Sequence, residues 1–310
     1  MNDKFFTKKM TLPLIATICC ALWGSAPSCI KLGYQFFQIE ASRTMDIMLF
    51  AGTRFFIAGC MVILGYSLIC RRQILPTKAS MKAILILSLA QTSLQYILYY
   101  IGAANASGVT TSILSGSGAF FSVVVACLIF RQEHLTGNKL LGCLAGLCGI
   151  ILVTLQGGTG DLSGGVSLLG EGCILMSAIS SAFSSSLIRI LSQKHNAVML
   201  SGYQFMFGGL AMIAVALPCG GTLPQVNSSG IAILLYLACV SAVAYTLWSL
   251  LLQHNPVSKV TIFNFLIPIF GVILSTILLR EGGVFSVTTL GSLLLVCTGI
   301  LLVNRKQPEN

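Results

Sequence analysis

Eight side chains scattered through this chain have the types and positions to grip a small polar solute: Gln95, Tyr96, Tyr99, Trp248, Asn264, Trp23, Ser115 and Tyr245. The amides of Gln95 and Asn264 both donate and accept hydrogen bonds. The tyrosines and tryptophans offer a flat apolar face with one polar tip. All eight lie inside apolar runs. Water is absent from hydrocarbon, so such groups need protein partners or a wet cavity. Gln95, Tyr96, Tyr99, Trp248 and Asn264 form the stronger set; Trp23, Ser115 and Tyr245 form the weaker one. The competing placement for Tyr99, Tyr100 and Trp248 is an aromatic belt at the membrane surface. The many intramembrane serines and threonines, among them Thr110, Thr111, Ser177, Ser181 and Ser185, satisfy themselves on a preceding turn or join helices.

Other chemistry finds little footing. The acids are Asp3, Glu40, Asp46, Glu133, Asp161, Glu171, Glu281 and Glu309. None falls near the middle of an apolar run, so a buried acidic proton relay has weak support. Glu133 and Glu281 occupy equivalent helix-end positions, with Arg131 and Arg280 as local ion partners, and are candidates for a helix-end cap or a gate. The histidines are His134, His195 and His254. All three sit in polar turns, and none reaches membrane depth to activate a serine. No His, Cys, Asp or Glu cluster has metal-ligand spacing. The expectation is therefore no enzyme, no cofactor and no metal. Most of the twelve cysteines lie in apolar runs, as small residues at helix contacts rather than a disulfide framework.

These residues must be positioned by membrane helices. The chain has 310 residues, 55% of them hydrophobic and 8% charged, whereas a soluble domain carries about 25% charged residues. So little charge cannot cover a water-exposed surface. The net charge of +10 does not mark a nucleic-acid binder, because the basic residues sit in short gaps between apolar runs rather than along one face. A span needs about 20 mostly apolar residues. Ten candidates run near 11–33, 46–70, 81–102, 107–130, 136–156, 168–191, 197–219, 228–252, 258–280 and 284–304. The apolar run after Lys4, Lys8 and Lys9 is too long for a cleaved signal core. Basic loops stay in the cytoplasm. With the N-terminus inside, fourteen basic residues fall on that side and four, Lys31, Arg43, Arg54 and Arg280, fall outside. That distribution predicts both termini in the cytoplasm and an even number of spans.

The second half echoes the first about 149 residues later: Tyr96 answers Tyr245, Tyr99 answers Trp248, Ser115 answers Asn264 and Phe121 answers Phe270. Five spans per half, an odd number, put the second half in the membrane upside down. The predicted organisation is a first five-helix repeat over 1–156, an external Gly-rich linker over 157–167 and a second repeat over 168–310. Small residues stand out in the fifth helix (Gly142, Gly146, Gly149) and the tenth (Gly291, Gly299). Such faces let backbones approach closely, and the two helices are expected to pack together.

Several of these segments resemble the drug/metabolite transporter superfamily, EamA branch. Trp23-Gly24-Ser25 followed by Lys31-Leu32-Gly33 is similar to its first-helix signature. Ala51-Gly52-Thr53-Arg54-Phe55-Phe56 is similar to its second-helix start, and the Glu133 and Glu281 turns to the ends of its two repeats. The resemblance covers nearly the whole chain. It implies a ten-helix permease for small metabolites such as amino acids, often an exporter. At the sixth helix the chain departs from the pattern, with Ser181-Ala182-Phe183 where a second Trp-Gly would be expected. No acid lies between Leu12 and Leu32, so the first-helix glutamate of the smaller multidrug relatives has no counterpart.

The expected molecule is thus an all-α polytopic membrane protein of ten helices in two inverted five-helix repeats. It sits in the cytoplasmic membrane as a monomer, with the lipid bilayer and a small-molecule substrate as partners and no nucleic acid. Substrate binds at mid-membrane between the repeats and is exposed alternately to either side. The rival expectation is a membrane sensor or assembly factor that reuses the fold without moving solute. A cavity plugged by leucine and phenylalanine would favour that rival.

Overall fold

The computed structural model describes residues 6, 10–106, 111, 114–157, 168–279 and 287–304. The described residues form ten helices and no strand. We label them α1 (Thr11–Phe37), α2 (Thr44–Cys70), α3 (Lys78–Asn105), α4 (Leu114–Ile129), α5 (Gly137–Gly157), α6 (168–191), α7 (Ala197–Ala216), α8 (Ser228–His254), α9 (257–279) and α10 (Val287–Asn304). By length and composition α1, α2, α3, α6, α7 and α8 can each cross a bilayer, and α4 and α9 carry shorter apolar stretches. At a rise of 1.5 Å per residue, the 27 residues of α1 exceed the roughly 30 Å hydrocarbon thickness. The protein is a multi-pass membrane protein. The Gly-rich linker and Glu281 lie outside the described residues, apart from Gly157 at the end of α5.

Local chemistry sets the helix ends. Thr77 and Ser80 form a reciprocal capping box that starts α3, which satisfies two otherwise orphan N–H groups. The Asn196 side chain accepts from the Val198 and Met199 amides to start α7. Asn227 accepts from Gly230 N and donates to Phe36 O at 3.0 Å, so one side chain starts α8 and ties it to the end of α1. Asp46 pairs with Arg43 at 2.9 Å and accepts from the Thr222 amide at 2.7 Å.

Glycines decide which helices touch. α2 and α7 cross antiparallel: a Cβ on Gly52 would lie 2.9 Å from Gly209 O, and one on Gly59 would lie 2.7 Å from Gly202 O. α5 and α10 also pack antiparallel, as expected from their small residues. A Cβ on Gly142 would lie 2.7 Å from Gly299 O, and one on Gly299 would lie 2.5 Å from Gly142 O. Gly146 faces α9 as well, where a Cβ would collide with the Phe265 ring at 2.2 Å. These pairs, second with seventh and fifth with tenth, are the ones an inverted duplication makes equivalent.

The described thiols are all free. The Cys19 and Cys20 thiols donate to the carbonyls of Ala244 in α8 and Phe263 in α9, at 3.5 and 3.1 Å. They fill contacts between helices, as read from their apolar surroundings.

At one end of the bundle the ends of α4, α6 and α8 and the start of α9 are tied together. Arg189 Nη1 donates to the Leu252 and Gln253 carbonyls at 2.9 and 2.8 Å. Gln253 Nε2 donates to Ser192 O at 2.7 Å, and Gln132 Nε2 to Ser186 O at 3.0 Å. Glu133 accepts from the Ser258 amide at 3.0 Å and from the Ser258 hydroxyl. A first-half carboxylate therefore caps the first turn of a second-half helix, where the exposed amides and the helix dipole favour negative charge. Its ion partner is Lys139 at 2.7 Å, not the Arg131 expected from proximity in sequence. Arg131 adopts φ +50° to turn the chain, which brings the start of α5 with Lys139 against Glu133. Burial alone would raise the Glu133 carboxyl; the hydrogen bonds from Lys139 and Ser258 outweigh it and hold the group below the usual carboxylate value.

Candidate functional site

The eight candidate residues converge. Trp23, Gln95, Tyr96, Tyr99, Ser115, Tyr245, Trp248 and Asn264 all line one cavity, with an empty volume of about 820 Å³ including its mouth. Tyr100, which has the belt as its other reading, is fully buried, and Trp248 is only 3% exposed. Both face the interior. Glu133 stands apart at the end of the bundle.

Each wall follows from its helix. Trp23 is held on α1 next to Gly24, where a Cβ would lie 2.6 Å from Phe270 Cβ. The small residue lets α1 close on α9 and sets the indole at the seam between the halves. On α3, Gln91, Gln95 and Tyr99 recur at helical spacing and share a face. A wider π-type turn over Ser88–Leu94 precedes Gln95. Such turns loosen the regular bonding ladder and recur at functional sites; here the Ser180 hydroxyl of α6 donates to Ala90 O at 2.8 Å. On α8, Tyr245 and Trp248 stand three residues apart on one face. Asn264 lies in the tightened turn Ile262–Phe265 of α9.

The aromatic rings interlock. Trp23 meets Tyr245 and Trp248 edge-on, each with centroids 4.9 Å apart, a geometry that the ring quadrupoles favour. Tyr96 and Tyr245, partners in the duplication, face each other and share a hydrogen bond between their hydroxyls. Three polar atoms of the lining find no partner in the protein: Trp23 Nε1, Gln95 Oε1 and Asn264 Oδ1. Buried polar atoms are nearly always paired with protein or water, so this wall is built for water or a ligand.

Several lining residues fall outside the eight. Ser177, Ser181 and Ser185 of α6 recur every fourth residue and form a polar strip. Ser185 also bonds back to Ser181 O at 3.0 Å, so self-satisfaction and cavity lining coexist. Gln91 lines the cavity and accepts from Gln204 Nε2 at 2.7 Å.

The largest correction concerns Arg54, counted above among loop charges outside the membrane. It lies well inside α2, lines the cavity and is 1% exposed. Its Nε donates to Leu237 O at 3.1 Å, Nη1 to Tyr100 Oη at 2.5 Å and Nη2 to Ser241 Oγ at 2.9 Å. The guanidinium also lies 5.1 Å from the Phe55 ring centroid. A signal was present in the sequence, since a lone charge within an apolar span is by default a functional candidate.

Among the described residues no group of three His, Cys, Asp or Glu could hold a metal ion. The fold defines a class: a multi-pass membrane protein. The EamA-like transporter family model matches residues 11–155 and again 168–305. The chain belongs to that family. It is similar to the uncharacterized transporter YetK of Bacillus subtilis (strain 168), 26% identical over 273 residues, covering 86% of this chain and 81% of that one. An uncharacterized transporter of Archaeoglobus fulgidus is 21% identical over 301 residues, covering 95% and 99%. The WAT1-related protein At3g02690, chloroplastic, of Arabidopsis thaliana is 26% identical over 200 residues, covering 62% and 46%. A solved structure described only as the crystal structure of a protein superposes with a TM-score of 0.75 over 96% of this chain and 99% of that one, at 15% identity. That likeness speaks to the fold.

Proposed function

We propose that this chain is a permease for small organic metabolites of about amino-acid size, held between its two halves and exposed alternately to either side of the cytoplasmic membrane. The observation that carries the reading is the cavity itself. It combines two indoles and several phenols with an indole N–H and two amide oxygens that have no protein partner. Aromatic faces with a few convergent polar groups suit a small solute. A sensor or assembly factor has no need of such a wall, and leucine and phenylalanine do not plug it. The halves are residues 1–156 and 168–310, with both termini cytoplasmic. Net export follows from the family resemblance. With no carboxylate among the cavity-lining residues, flux runs down the solute's own gradient. Glu133 and Glu281 are the gate candidates, and Glu133 must release Ser258 for its end to open.

A tolerance screen tests the reading. Cells overproducing the protein, challenged with toxic metabolite analogues, should gain resistance to at least one class. Purified protein in liposomes should then move that class. Unchanged tolerance across the panel together with no flux in liposomes sinks the permease reading. Uptake driven by an imposed pH gradient without any solute gradient sinks the uncoupled mechanism.

A further inference from the structure

We propose that the transported solute carries a carboxylate and that Arg54 is its counter-charge. The inference rests on the cavity being the solute site and names the class of solute it takes. Arg54 is a cation in the interior of a membrane bundle, where an uncompensated charge is costly. The two acids of the described ion pairs are engaged elsewhere: Asp46 with Arg43 and Thr222, Glu133 with Lys139 and Ser258. Among the described residues no acid lines the cavity. All three described bonds from Arg54 go to neutral acceptors, namely a carbonyl, a phenol and a hydroxyl. They fix the guanidinium plane but do not neutralise it. A guanidinium carries five N–H groups in a rigid fork, so two have no partner among the described residues. A carboxylate is the planar anion whose two oxygens match that fork. A phosphate would bring more charge than one guanidinium balances, and no second cation lines the cavity.

The rest of the wall narrows the class. Trp23 Nε1 is a second unpaired donor, able to share the anion or a neighbouring oxygen. Gln95 Oε1 and Asn264 Oδ1 are unpaired acceptors, and they call for a donor elsewhere on the solute. The class is therefore a small monocarboxylic acid bearing a hydroxyl or an amine. Metabolites without a carboxylate leave Arg54 without a counter-charge and bind weakly.

The chain provides its own reporter, because its only two tryptophans, Trp23 and Trp248, both line the cavity. The full-length protein in lipid nanodiscs is titrated with matched pairs, small 2-hydroxy and 2-amino carboxylates against their primary amides, while tryptophan emission is followed. The acids should bind at least tenfold more tightly than their amides. A stronger response from the hydroxy or from the amino series supports the proposal equally and identifies the donor. Amides that bind as well as acids, or acids that give no response, overturn it. Arg54→Gln should cut the acid-over-amide ratio to about one, and Arg54→Lys should keep part of it. If Arg54→Gln fails to fold, the comparison on the unaltered protein still decides. A liposome arm separates this inference from the permease reading. Flux of solutes without a carboxylate, with amide-blind binding, sinks the carboxylate alone. Acid-selective binding without flux of any solute sustains Arg54 and sinks the permease.

Discussion

The two halves of this protein share a scaffold more fully than they share a chemistry. At the helix crossings, glycine meets glycine in antiparallel pairs, Gly52 with Gly209 and Gly142 with Gly299. At the cavity the halves keep three pairs, Tyr96 with Tyr245, Tyr99 with Trp248 and Ser115 with Asn264, and diverge elsewhere. The first contributes an indole, a guanidinium, two amides and two phenols through Trp23, Arg54, Gln91, Gln95, Tyr96 and Tyr99. The second contributes a serine strip on α6, then Tyr245, Trp248 and Asn264. Trp23 faces no second-half tryptophan from α6, where Ser181 stands instead, and Arg54 has no cationic counterpart in the lining. Symmetry suits a scaffold in which one packing solution is used twice. A solute has no such symmetry, so the wall that grips it is free to lose the duplication.

That contrast can be broken at the scaffold first. Leucine at Gly209 would press a Cβ against Phe56 N and Gly52 O, at 2.5 and 2.6 Å. Both are backbone atoms that cannot turn aside. Overpacking costs about 1–3 kcal/mol where side chains can adjust, and more here. Gly209→Leu, and Gly146→Leu against the Phe265 ring, should abolish recovery of monodisperse protein on size exclusion in mild detergent. Normal recovery of Gly209→Leu would mean that α2 and α7 do not cross at this point.

A smaller effect is expected at the wall. Trp23→Phe keeps a ring beside Tyr245 and Trp248 but removes the unpaired indole N–H. The apparent affinity for transported solute should fall about tenfold, near 1.4 kcal/mol, the size of one hydrogen bond, with recovery on size exclusion unchanged. An unaltered affinity would exclude the indole N–H from binding.

Smaller again is the link between the halves. Tyr96→Phe and Tyr245→Phe should each lower the melting temperature modestly, by about 1 kcal/mol or less in stability. The double variant should cost clearly less than the two added together, because both delete one shared bond. Strict additivity would show that the hydroxyls act separately.

The least effect comes from the end of the bundle, and it depends on pH. The Glu133 carboxyl is held below its ordinary value, which is about 4.3 in an unfolded chain. Its stabilising contribution is therefore complete above that value and is lost as pH falls through the folded-state value. Glu133→Gln should lower the melting temperature at pH 7, and the gap from the unaltered protein should hold down to about pH 4.3 and close only as the pH falls further, through the folded-state value. A gap that stays constant below that point would show that the charge contributes nothing.

Much of this was legible before any coordinates. Ten apolar stretches and a 149-residue echo carry the fold, because a bilayer forces long helices and a duplication repeats its spacing. The cavity residues were legible for the same reason, since Gln95, Tyr96 and Asn264 have no business in hydrocarbon without partners. Arg54 was mistaken for a loop charge, because counting basic residues treats each as exposed and takes no account of Tyr100 or Ser241 waiting across the bundle. The partner of Glu133 was mistaken because the chain reverses at Arg131, and sequence neighbours on either side of a left-handed turn point apart. The α6 serines have two roles at once, and sequence alone offered only the local one.

The Tyr96–Tyr245 contact has a geometric consequence. When two positions exchanged by a two-fold rotation touch each other, the axis passes between them, and the rotation returns the pair to itself. Any tilt that trades the postures of the two halves should leave these two phenols together. The pair marks that axis in the sequence itself, at Tyr96 and again 149 residues later.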